Sequence, residues 1–334
     1  MFDTYIGTTN GVYRLTQGDI QPLGLDGERV WAIHAWRNGA ADIVLAGSYG
    51  NGMFRSADGG QTWDAANDGL AASAFRCITP DPHQPGAILA GAEPGRVFRS
   101  QDDGQSWSEL SGILELEGIE KWFLPYSPRA GAVRNIHATG EGKRLLASVE
   151  VGGLLDSRDG GETWSYVKVL YDEDLHHITS HPNDPNLLFA SLGYASIKHE
   201  WRDDEQHKFG GIARSRDGGA TWHKLETDYT RATIIPPTHS ELVLAGPAPN
   251  VGQNGRIVVS SDAGDTWEPA SDGIDTPMPD MVELFVAAPD NTIWAICSGG
   301  RLLTATAGEW RWRSALPEGH ELDVESVSFV RSGS

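Results

Sequence analysis

The sequence predicts an all-β fold, a seven-bladed β-propeller, and three observations carry that prediction. The phrase Ser-x-Asp-x-Gly-x-Thr-Trp recurs five times, with Ser106 replacing Thr in one copy. The copies stand at blade-sized intervals. The two chain ends supply complementary parts of one further blade. Self-similarity at such a period marks a repeat architecture, in which each unit buries its apolar faces against its neighbours.

Taken in order, the N-terminal stretches 5–8, 11–15 and 19–23 read as three strands with none before them. The repeats follow at Ser56-Asp58-Gly60-Thr62-Trp63, Ser100-Asp102-Gly104-Ser106-Trp107, Ser157-Asp159-Gly161-Thr163-Trp164, Ser215-Asp217-Gly219-Thr221-Trp222 and Ser260-Asp262-Gly264-Thr266-Trp267. Apolar pairs such as Met53-Phe54, Val97-Phe98 and Leu154-Leu155 precede the phrase, and a short strand begins at its Trp. That is a hairpin turn. The Asp accepts bonds from backbone N–H groups a few residues on, the Gly supplies positive φ, and the Trp buries a large ring between sheets. These residues are therefore structural and carry no chemistry.

The Asp-to-Asp steps are 58 to 102 (44 residues), 102 to 159 (57), 159 to 217 (58) and 217 to 262 (45). A four-stranded blade takes about 40–50 residues, so the two long steps each hold an insertion, placed at 111–133 and 193–210. A degenerate sixth copy spans 304–310 and ends at Trp310, after strand-like runs at 283–288 and 292–297. The last alternating stretch, 324–330, has no blade to follow. Pairing it with the N-terminal strands closes the ring and hides sheet edges. Residues 1–334 are thus expected to form a single propeller whose seventh blade is split between 1–25 and 323–331.

The formal charge of −20 excludes a nucleic-acid partner and disfavours anionic membranes. No apolar run approaches the ~18 residues of a membrane span. The start, Met1-Phe2-Asp3-Thr4, does not read as a signal peptide, and the two cysteines, Cys77 and Cys297, fall in non-neighbouring blades. A cytoplasmic location is expected.

In a propeller, the loops between second and third strands and the entries to the innermost strands surround the mouth of the axial channel, opposite the repeated turns. Aligning second strands gives one ring: Tyr49, Glu93, Glu150, Gly193, Ala248 and Ser298. Aligning innermost strands gives another: Trp31, Arg76, Arg134, His176, Ala232, Glu283 and Glu325. The rings converge on blades 2, 3 and 4, and blades 5 and 6 offer less. Glu150, His176 and Glu93 are the candidate acid–base residues, since carboxylates beside guanidinium groups have pKa values pushed apart. His176 with Glu150 forms a candidate site for a divalent metal ion. Arg76 and Arg134 suit a ligand carboxylate or phosphate. The same residues also read as ion pairs holding strand ends, with His176 a hydrogen-bonded neighbour.

The 111–133 insertion carries Lys121-Trp122-Phe123-Leu124-Pro125-Tyr126 and is placed over the mouth, with Trp122 as an apolar wall. The 193–210 insertion, rich in charge from Lys198 to Lys208, leaves blade 4 beside His176; His199 is its candidate ligand contact. Adjacent strand residues point to opposite faces, so only one of His176 and His177 is expected at the mouth.

The repeated phrase resembles the Asp box, or BNR repeat, of sialidase-like and sortilin-like β-propellers. Further, Trp122-Phe123-x-Pro125, Arg134, Glu150-x-Gly152-Gly153 and Asp174-x-His176 resemble a subgroup of uncharacterised prokaryotic single-domain BNR propellers. The resemblance implies the fold and no activity. Standard sialidases are six-bladed and carry an arginine triad with Phe-Arg-Ile-Pro before the first box, whereas Phe75-Arg76-Cys77-Ile78 follows it. Xyloglucanases pair two propellers, and the photosystem II assembly factors usually carry a leader. Two functions remain. One is a hydrolase or lyase acting on a small-molecule or glycan-like ligand at the channel mouth. The other is a non-catalytic protein-interaction or assembly-factor propeller, with an exposed aromatic patch at Trp122, Phe123 and Tyr126.

Overall fold

A computed structural model describes residues 1–332 apart from 40, 123, 125–130, 140–141, 171–173, 194–209 and 227. Seven four-stranded antiparallel sheets stand around one axis. Their innermost strands are Val30–Asn38, Ala74–Pro80, Ala132–Ala138, Leu175–His181, Tyr229–Ile234 and Val282–Ala287 in blades 1 to 6, and Val324–Arg331 in blade 7. Each blade then runs outward in sequence order, except blade 7. There the C-terminal strand Val324–Arg331 pairs with Phe2–Thr8, followed by Gly11–Thr16 and Asp19–Pro22. The register runs from Phe2 opposite Arg331 to Thr8 opposite Val324. Ring closure is thus a strand pairing between the two ends of the chain.

The second strand of each blade is largely a buried run, as in Ile88–Glu93 and Leu145–Glu150, because both faces meet neighbouring blades. The core is accordingly a ring of clusters between blades rather than one mass. Leu45, Met53, Phe75, Phe98 and Trp107 fill one such gap; Leu89, Val97, Ile136, Leu155 and Trp164 fill the next.

The five repeated turns share one hydrogen-bond set. In the first, Asp58 Oδ1 accepts from Ser56 Oγ (2.7 Å) and the Thr62 backbone N–H (2.9 Å), and Oδ2 accepts from Thr62 Oγ1 (2.6 Å). Ser56 Oγ in turn accepts from the Gly60 N–H at 2.7 Å. The Thr62 side chain and the adjacent donors hold the Asp58 carboxyl down at about 2. In blades 1 and 2 the Trp that follows ties the blade to the one before, whereas Trp164 and Trp222 donate to the Gly161 and Gly219 carbonyls of their own turns at 2.9 and 3.0 Å. Trp63 Nε1 donates to the Leu23 carbonyl (2.7 Å) and Trp107 Nε1 to that of Ala66 (3.1 Å).

In blade 6 the equivalent ring is Trp312, not Trp310. It precedes the outer strand Arg313–Ser314 and donates to the Ala270 carbonyl of blade 5 at 2.7 Å. Trp310 sits in a looser turn with φ +52°. The 111–133 insertion contains two 3-10 turns, Ser111–Glu115 and Ile119–Lys121. Both cysteines are free thiols. No helix among the described residues is long and apolar enough to cross a membrane.

Two stability outcomes follow from these contacts. Ser157 is buried and accepts from the buried Gly161 N–H at 2.7 Å. Ser157→Ala strands that donor, so the urea-unfolding free energy should fall by about 1–3 kcal/mol. Burial also pushes the imidazoles of His34 and His137 down to about 4, and that of His177 to about 3. The unfolded chain therefore binds more protons than the folded one below the ordinary value of 6.5. The stability conferred by these neutral rings is whole above pH 6.5 and is lost as the pH falls towards 4. The unfolding midpoint should drop over that window, and less steeply in His137→Asn.

Candidate functional site

Each innermost strand has an irregular register near its mouth end. In blade 1, Val30 pairs with Ser48 and Ala32 with Gly47, so Trp31 is an extra residue. The same slip falls at Arg76, Arg134, His176 and Glu283 in blades 2, 3, 4 and 6. In blade 7, Gly7 pairs with Ser326 and Thr8 with Val324, leaving Glu325 over. A bulge bends its strand and re-aims the unpaired side chain, which turns these large, mostly polar groups towards the axis.

Blade 5 departs from the alignment made on sequence. Thr230 pairs with Pro247 and Thr233 with Ala245, so Arg231 and Ala232 together oppose Gly246. Arg231 takes the mouth position, and Ala232 is buried in the core between blades 5 and 6. The expectation that blades 5 and 6 contribute little is corrected with it. Arg231 Nη1 donates to both carboxylate oxygens of Glu283, at 2.6 and 2.7 Å.

These residues line an open cavity of about 820 Å³ at the channel mouth. Its wall includes Trp31, Tyr49, Arg76, Arg134, Glu150, His176, His177, Arg231, Glu283 and Glu325. Both His176 and His177 reach it, although they are neighbours on one strand, because the bulge at His176 breaks the alternation. Glu93 is not in the wall: it is buried and accepts from Arg76 Nε at 3.0 Å. Arg76 lies flat on Trp31, 3.3 Å from the ring centroid, and Tyr49 covers Trp31 at 4.0 Å between centroids.

Trp122 is a packing residue, not a wall of the cavity. It is 6% exposed and lies under three glycines, Gly95, Gly131 and Gly152, each of whose missing Cβ would collide with its ring or with Val149. Tryptophan in an insertion was read as exposed; the glycines around it are the sequence signal that it is covered. His199 and nearly all of the 193–210 insertion lie outside the described residues.

Blades 3 and 4 bring the chemistry together. Ligating atoms of Glu150, Asp174 and His176 all lie within 4.8 Å of one another, and all three residues are buried. Arg134 Nε donates to Glu150 Oε2 at 2.6 Å. Burial alone would raise the Glu150 pKa, but the charges of Arg134, His176 and Arg76 outweigh it and hold the carboxyl well below the usual range. Asp174 Oδ1 is 3.4 Å from His176 Nε2, and Tyr229 Oη is 3.0 Å from the same nitrogen. Arg231 Nε donates to Tyr229 Oη at 2.8 Å, linking this cluster to Glu283. His176 Nδ1 is buried with no hydrogen-bond partner among the described residues.

The backbone of Gly193 passes directly over the cluster, its N–H bonded to the Asp174 carbonyl at 2.9 Å. A Cβ there would stand 2.2 Å from Asp174 Oδ2 and 2.6 Å from His176 Nε2, so any side chain at 193 has to push one of them aside. Tyr229 and Arg231 had no part in the site read from sequence, and Asp174 entered it only through a resemblance.

The geometry fixes two outcomes. Arg134→Met removes the largest influence lowering the Glu150 carboxyl, whose pKa should rise in a carboxyl-carbon NMR titration. Gly193→Ala should displace Asp174 or His176 and move the His176 ring resonances, while leaving the unfolding cooperativity of the propeller intact.

No family model matches the chain, and no curated protein does. Solved structures resemble it as propellers. A GH74 xyloglucanase from Xanthomonas campestris superposes with a TM-score of 0.64 at 17% identity, over 99% of this chain and 52% of its own length. The chain thus spans about half of that enzyme. The YCF48 protein bound to a D1 peptide gives 0.60 at 16% identity, over 91% of this chain and 89% of its own. Sqt1 from Chaetomium thermophilum, bound to the N-terminus of ribosomal protein L10, gives 0.57 at 12% identity, over 92% and 82%. At such identities the likeness establishes the fold alone.

Proposed function

We propose that the protein binds a small polar, glycan-like molecule in the channel mouth and transforms it by metal-assisted hydrolysis or elimination. The observation that carries this reading is the convergence of Glu150, Asp174 and His176 at the cavity wall, with ligating atoms within 4.8 Å. Two buried carboxylates that close repel each other, and a divalent cation between them relieves the repulsion. Carboxylate oxygen with imidazole nitrogen suits manganese or zinc. The orphaned Nδ1 of the buried His176 is a further sign of a site built to be filled.

The low pKa of Glu150 favours one of its two candidate roles. A general base works best with a pKa near the ambient pH, and Glu150 lies far below it. It stays ionised throughout the working range and so serves as a ligand and electrostatic anchor. A cation held there supplies Lewis-acid polarisation of a ligand oxygen. His176, its Nε2 beside Tyr229 Oη and Asp174 Oδ1, completes the ligand set for that cation.

A second reading, a non-catalytic propeller that binds a peptide or protein, draws on the likeness to the YCF48 and Sqt1 structures, which extends over most of both chains. The aromatic patch expected for it is not met at Trp122, which is buried; Phe123 and Tyr126 lie outside the described residues.

Calorimetric titration of metal-stripped protein with Mn²⁺ and Zn²⁺ separates the two. A stoichiometric site should appear for at least one ion, weakened about tenfold or more in Asp174→Asn and in His176→Gln. Wild-type protein that takes up neither ion would sink the metal-assisted reading and favour the second.

A further inference from the structure

The charges around the cavity bear on which ligand it takes. Among the described residues of the wall, four are arginines: Arg29, Arg76, Arg134 and Arg231. Each is held by a carboxylate. Arg29 donates to Glu325 at 2.6 and 2.9 Å, Arg134 pairs with Glu150, and Arg231 is bidentate to Glu283. Arg76 pairs with the buried Glu93 and has its face against Trp31. Asp323 adds a further negative charge to the wall, Asp174 stands just behind it, and the chain as a whole carries −20.

A ligand carboxylate, sulfate or phosphate would have to share a guanidinium with the carboxylate that already neutralises it. It would bring a further negative charge to close range of Glu150, Glu283, Asp323 or Glu325. A hydroxyl meets no such penalty. It donates to a carboxylate oxygen and accepts from a guanidinium N–H at once, and neighbouring hydroxyls on a sugar ring match an arginine–carboxylate pair side by side. Tyr49, 40% exposed at the rim and backed by Trp31, offers an apolar surface for the C–H face of such a ring.

We infer that the site selects a neutral polyhydroxylated ligand, a sugar or short oligosaccharide without acidic groups. The inference rests on the reading given under Proposed function and narrows it. The arginines of the mouth are the donor halves of mixed donor–acceptor pairs, not a clamp for an anion.

The test is calorimetry of the full chain with short neutral oligosaccharides and with uronic-acid counterparts of the same length and linkage. The same titrations are run on Glu283→Gln, with a melting curve to confirm that the variant folds. A neutral saccharide should bind, with its uronate counterpart weaker by about tenfold or more. Glu283→Gln removes the carboxylate from Arg231 and should shrink or reverse that gap. Equal or tighter binding of uronates by the wild-type protein overturns the inference and leaves the proposed function standing. A preference unchanged in Glu283→Gln also overturns it, because the discrimination then lies elsewhere than in the paired arginines. If no saccharide of either charge binds, the proposed function falls and the inference with it.

Discussion

Seven unpaired strand edges face one another across the axis, and at each of them the register slips near the mouth. Much of the cavity wall depends on that slip. The bulges present Trp31, Arg76, Arg134, His176, Arg231, Glu283 and Glu325 at one end of the channel. The scaffold supplies the bulge position, and each blade fills it independently. The result is a wall with aromatic residues on one side and a carboxylate–histidine cluster on the other, held by sheets whose apolar cores do not need to change.

The opposite end of the barrel has a complementary task. The repeated turns satisfy their own backbone donors through Ser and Asp, and the tryptophans of blades 1, 2 and 6 bond to carbonyls of the preceding blade. A side chain such as Glu150 can be buried and ionised because Arg134 is fixed opposite it on the neighbouring strand of the same sheet.

How much of this was legible in the sequence follows from which signals are local. The turns were, because all their hydrogen bonds fall within a few residues, and so was ring closure, which needs only an odd strand at each end. Glu150, His176, Arg76 and Arg134 were placed at the mouth by counting along strands. Counting failed where the register changed: in blade 5 the bulge spans Arg231 and Ala232, and choosing the apolar residue lost the arginine. It failed in blade 6 as well, where a longer turn moves the blade-linking role from Trp310 to Trp312. Trp122 was misplaced because an insertion was equated with exposure, whereas Gly95, Gly131 and Gly152 make a slot for the ring. Tyr229 acts through space, across two blades, and no spacing in the chain announces it.

The pairing of Phe2–Thr8 with Val324–Arg331 has a consequence for the order in which the molecule is built. Glu325, the partner of Arg29 in the cavity wall, rides on the Val324–Arg331 strand of that pair. Six blades can form on contacts close in sequence, but the seventh waits for two segments more than three hundred positions apart, the slowest kind of encounter in the chain. The rim of the cavity is therefore completed only when the circle is. A molecule arrested one strand short has an exposed sheet edge where the cavity wall should be.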